Sequence, residues 1–129
     1  MAQVVVWARR EHLDRHRPAL SDAIHGAVMA ALDYPPDKRF HRFVGLDAGD
    51  FVHPPDRGTD YTIIEISLFA GRSEEARRRL IAELFERLQQ EVGIDPQSVE
   101  ITITETPRVN WGIRGRNGAD LGLDYRVDV

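Results

Sequence analysis

Two stretches about sixty residues apart share one order of signals. Ala31-Leu-Asp-Tyr-Pro-Pro-Asp37 leads to Phe40-His-Arg-Phe43, and Glu91-Val-Gly-Ile-Asp-Pro-Gln97 leads to Val99-Glu-Ile-Thr102. Each reads as a helix end, a proline turn and a strand. A repeated β-α-β unit has few ways to bury its apolar faces. The natural one is an α+β architecture: a tandem β-α-β repeat forming one four-stranded sheet with both helices on one face. The halves run over about 2–46 and 61–106, followed by a tail at 107–129, and the whole of 1–129 reads as a single domain.

Within the first half, Gln3–Ala8 is rich in β-branched residues and opens as a strand. Leu20, Ala23, Ile24, Ala27, Val28 and Ala31 keep one helical stripe. Pro18 belongs in a first turn, so the spacing predicts a helix from about Asp14 to Leu32. Phe40–Leu46 reads as the second strand, and the Gly- and Pro-rich stretch 47–60 as a long loop. In the second half, Tyr61–Phe69 is a strand and Ser73 caps a helix with Glu74 and Glu75 in its first turn. Leu80, Ile81, Leu84, Leu88 and Val92 form that helix's stripe, Glu75, Arg79, Glu83 and Arg87 a charge ladder, and Gly93 its stop. Val99–Glu105 alternates as a half-buried strand. Strands such as Val4–Trp7 are apolar on both faces, which calls for a partner subunit over the face the helices leave open.

Composition narrows the function. The 129 residues carry 17 basic and 21 acidic side chains, a net charge of −4, and no cysteine. Disulfides, thiolate metal sites and thiol nucleophiles are thereby excluded. An acidic chain has no general attraction to nucleic acid, and Arg77-Arg78-Arg79 has acidic neighbours on a helix surface. No apolar run is long enough for a membrane span or a signal-peptide core, and the chain reads as cytoplasmic. The five histidines include His12 and His16 at i,i+4 spacing, but no third ligand follows, so no metal and no cofactor is expected. His25 reads as a satisfied helix histidine, and no phosphate-binding glycine loop or serine elbow is present.

Taken in order and spacing, the β-α-β repeat from residue 2, Ile24-His-Gly-Ala27, Pro35…Arg39-Phe40, Gly71-Arg-Ser-Glu-Glu75 and Asn110-Trp-Gly112 resemble the tautomerase superfamily, in particular its malonate semialdehyde decarboxylase branch. The resemblance spans Ala2 to about Gly118. It implies a homotrimer with barrel-forming sheets, and an active site at the sheet's edge that acts on small 2-oxo or enol carboxylates. It also exposes departures. Family enzymes use an amino-terminal proline whose amine has a lowered pKa. Residue 2 here is Ala2, and removal of Met1 leaves a primary amine. The family's water-activating acid aligns with Lys38, beside Asp37. Of two family arginines before the second helix, Arg72 remains and the other aligns with Ala70. The family's pocket tryptophan aligns with Trp111.

The residues carry their own reading alongside. Arg72 precedes an N-cap serine, where backbone N–H groups and the helix dipole favour an anion and a guanidinium holds a carboxylate bidentately. The alternative is a surface arginine pairing with Glu74 or Glu75. Lys38 is either a desolvated base or imine former, or an exposed turn lysine. Asp37 is either an acid or a turn residue. Trp111 closes a pocket or packs in the core, and Trp7 belongs to core or interface. Arg108, Arg114 and Arg116 extend a carboxylate pocket or lie in a solvated loop. The expectation is a weak keto–enol tautomerase, or a related lyase or decarboxylase, acting on small 2-oxo carboxylates. Catalytic candidates are Ala2, Lys38, Asp37 and Arg72, with Arg72 and Trp111 binding substrate. The alternative is a non-catalytic carboxylate-binding or assembly protein on the same scaffold.

Overall fold

The computed structural model describes residues 2–123 and 126–129. The first half consists of β1 (Ala2–Arg9), α1 (Arg10–Leu32) and β2 (His41–Leu46); the second consists of β3 (Thr62–Phe69), α2 (Glu74–Arg87) and β4 (Val99–Thr106). The sheet order is β2-β1-β3-β4, with β1 parallel to β2, β3 parallel to β4, and the halves joined antiparallel through β1 and β3. The repeat is visible in the register. Val4 faces His41 in the first unit and Ile64 faces Ile101 in the second, both 60 residues further on.

Alternation decides which face is buried. Val4, Val6 and Ala8 of β1 and Ile64, Ile66 and Leu68 of β3 point toward the helices and are sealed from solvent. They meet Leu20, Ile24, Ala27 and Val28 of α1 and Leu80, Leu84 and Leu88 from the second helix. Ile81 and Val92, expected in that stripe, are only half-buried. The open face carries Val5, Trp7, Val44, Leu46 and Ile63 at its apolar end, and the Trp7 indole N–H donates to Glu65 there.

The first helix departs from the expected start. α1 begins at Arg10, directly from the strand, and Pro18 lies inside it. A proline in a helix interior costs about 3 kcal/mol, because it removes one N–H bond and crowds the preceding turn. Here Pro18 and Asp14 are both on the exposed side, so water takes the Asp14 carbonyl. The extra turns bury Leu13 completely and His12 nearly so. Burying one leucine returns about 1.5–3 kcal/mol, comparable to the proline's cost.

The second helix follows the local signals. Ser73 Oγ accepts from Ala76 N at 3.0 Å. Of the expected ladder, Arg79 and Arg87 both pair with Glu83, at 4.0 and 2.8 Å. The helix widens into a π turn at Leu88–Val92 and ends at Gly93, whose φ of 81° is left-handed. Beyond β4 a short hairpin forms, β5 (Gly112–Ile113) with β6 (Arg116–Asn117).

Candidate active-site end of the sheet

The topology gathers the sequence candidates at one end of the sheet. Ala2, the first residue of β1, faces Leu68 on β3. One residue beyond, Phe69 ends β3 and leads through Gly71 and Arg72 into the α2 cap. On the other side of β1, Val4 N donates to Phe40 O at 3.0 Å, so the 35–40 turn with Asp37 and Lys38 lies along the β2 edge. Thr106 of β4 faces Phe69, and the chain then turns through 108–110 to Trp111. Parallel pairing within each unit and antiparallel pairing between them bring these segments together.

Ala2 is buried, and its backbone nitrogen donates to the Tyr34 hydroxyl at 3.0 Å. Tyr34 is also buried. The sequence marks it only as a turn residue, and no periodic signal could have placed its ring under Ala2. The structure holds Arg72 at 4% exposure, with Nη1 donating to Phe69 O at 3.1 Å. Residues 126–129 lie over this turn: Ser73 N donates to Val129 O at 2.9 Å, and Val127 packs beside Gly71. Glu74, considered as a partner for Arg72, pairs with Arg78 at 3.0 Å. Asp37 is exposed and Lys38 half-buried, and neither side chain makes a hydrogen bond or ion pair among the described residues.

Trp111 is half-buried and its ring meets Phe69 edge-on at 5.0 Å. It also lines an open cavity of about 430 Å³ with Val109, Asn110, Ile113 and Arg116. Arg108 is part of the scaffold, since it donates to the carbonyls of Gly118 and Leu121 and lies 5.5 Å from the Phe69 ring centre. A second cavity of about 340 Å³ lies along the β2 edge, lined by Gln3, Arg39, Phe40, His41 and Arg42. His41 is held near pKa 4 by burial first, then by His25 and Arg39. It is neutral at pH 7. His25, read as a satisfied helix histidine, bonds through Nε2 to Pro36 O at 2.9 Å. His12 is also pushed down, by burial and then by His16, with Asp60 opposing. Among the described residues no three His, Cys, Asp or Glu side chains cluster to hold a metal ion.

Comparison with known proteins extends the geometry. Residues 38–114, more than half the chain, match the sequence model of a family described as tautomerase enzyme. A 2-hydroxymuconate tautomerase from Comamonas testosteroni is 34% identical over 58 residues, 45% of this chain and 92% of that protein. The solved structure of a malonate semialdehyde decarboxylase inhibited by 3-bromopropiolate superposes with a TM-score of 0.77 at 26% identity, over 85% of this chain and 87% of that one. A fused 4-OT solved as an asymmetric trimer gives 0.79 at 22% identity, over 91% and 96%, and so shares the fold.

Proposed function

The chain belongs to the tautomerase family, and from that premise we propose that it is a weak keto–enol tautomerase, or a related lyase or decarboxylase, of small 2-oxo carboxylates. One observation carries the reading. Ala2, Arg72 and Trp111 converge at one sheet end, and Ala2 N is buried there rather than solvated. Arg72 binds the substrate carboxylate and stabilises the enolate charge that develops as a proton leaves carbon. Residues 126–129 must lie aside from Gly71 and Ser73 for it to do so. The proton acceptor is the Ala2 amine once Met1 is removed, or Lys38, or Asp37. An amine enclosed in an apolar site loses its proton more readily than one in water. Trp111 forms one wall over a planar substrate.

The working unit in this reading is a homotrimer, in which neighbouring copies cover the apolar end of the open face at Val5, Trp7, Val44 and Leu46. The trimeric state of the fused 4-OT supports it. Light scattering is expected to return three copies, and a monomer refutes the assembly.

The test of activity is an ultraviolet assay of enol-to-keto conversion with phenylenolpyruvate, comparing wild type with Arg72→Ala, after intact-mass analysis of the terminus. Activity that falls in the variant supports the reading, and unchanged turnover refutes the role of Arg72. A second reading is favoured by the alanine in the proline's place and by the burial of Arg72: a non-catalytic carboxylate binder. Calorimetric binding of pyruvate without turnover supports that alternative.

A further inference from the structure

We propose that the cavity along the β2 edge is a carboxylate-binding site separate from Arg72, in which Arg39 and Arg42 supply the charge and the His41 Nε2–H supplies a directed hydrogen bond. The argument starts from hydrogen-bond direction. A guanidinium has only donors. Arg39 Nη1 therefore donates to Ser21 Oγ at 3.3 Å. The serine hydroxyl proton is left for its other partner, His41 Nδ1, at 2.8 Å. Nδ1 accepts, so the ring proton of the neutral imidazole sits on Nε2. That nitrogen has no partner among the described residues and is not sealed from solvent. Asp22 Oδ1 takes Arg39 Nη1 at 2.7 Å and holds the guanidinium in place from outside the cavity.

The lining residues are then two cations, one N–H donor, one amide and no acid, in a chain of net charge −4. Arg42 is exposed and has no ion pair among the described residues. Phe40, 42% exposed, adds an apolar wall. Paired guanidinium groups match a planar carboxylate, and an apolar wall suits an organic acid better than inorganic phosphate. Neutrality of His41 serves the site, because a neutral ring donates its hydrogen bond without adding a third mutually repelling cation. The groups that hold it neutral are the burial of the ring, His25 at 6.1 Å and Arg39.

The experiment is a long-range nitrogen–proton spectrum of the histidine rings in the full chain, titrated with pyruvate and, separately, with inorganic phosphate. The Nε2–H tautomer is expected for His41 before any ligand is added. Pyruvate should shift the Nε2 resonance and raise the His41 pKa, because a bound anion favours imidazolium. The exposed substitution Arg42→Gln should weaken pyruvate binding by about tenfold or more, the usual scale for a charge-assisted contact. An Nδ1–H tautomer overturns the proposal. So does a His41 signal that ignores excess pyruvate, responds equally in Arg42→Gln, or prefers phosphate. Loss of turnover or its absence in Arg72→Ala leaves these readouts untouched, so this site and the Arg72 reading stand or fall separately.

Discussion

The burial of His41 sets a pH dependence of stability that follows from its position. In the unfolded chain its ring has the ordinary pKa of 6.5, and in the fold about 4. Between these values the unfolded state binds the proton and the native state does not, so stability falls as pH falls through this window. From pH 7 to pH 5 the loss from this one group is about 2 kcal/mol, an upper figure because solvent screens the exposed edge of the ring. For a chain of this size that lowers the melting temperature by about 7 °C. The assay is thermal and urea unfolding at the two pH values and one fixed protein concentration, for wild type and His41→Asn, which still offers Ser21 a carbonyl acceptor. The variant is expected to lose about 2 kcal/mol less than wild type between pH 7 and 5. His12, also depressed, contributes equally to both proteins and cancels. Equal pH dependence in the two proteins refutes the assignment.

Three further outcomes are expected. Ser73→Ala removes the acceptor for Ala76 N and should cost about 1 kcal/mol in urea unfolding. Gly118→Val places a Cβ 2.5 Å from the backbone oxygen of Arg108 and 3.2 Å from Trp111 Cβ, with no flexible atom to yield. It should loosen residues 108–121, seen as faster proteolysis there, while the unfolding midpoint of the sheet and helices changes little. Tyr34→Phe deletes the hydroxyl that Ala2 N donates to and leaves a buried N–H without that acceptor. The expected destabilisation is about 1–3 kcal/mol, and a neutral result would show that this contact adds nothing.

Much of the fold was legible in advance because its signals are local. A cap needs only the residues of one turn, so Ser73 announced the start of α2 and Gly93 its end. Strand alternation needs only neighbours, so Val99–Glu105 declared its two faces. The sixty-residue repeat determined the order of elements, and with the handedness of β-α-β crossovers it left one economical sheet. Even the gathering of Ala2, Asp37, Lys38, Arg72 and Trp111 at one end follows from that order, since each follows or precedes a strand terminus on the same side.

Tertiary structure decided the rest. The start of α1 at Arg10 went against the proline rule, because burial of His12 and Leu13 is settled by a sheet that the helix's own sequence does not contain. Arg72 was legible as a residue beside a helix cap, but its burial depends on a carbonyl 56 residues away, at Val129. The Tyr34 contact to Ala2 spans 32 residues and the Ser21–His41 bond spans 20. Such pairs carry no periodic signature in the chain. They exist because register and helix packing bring particular side chains within 3 Å, and a hydrogen bond at that range is made or lost by shifts smaller than any sequence pattern specifies.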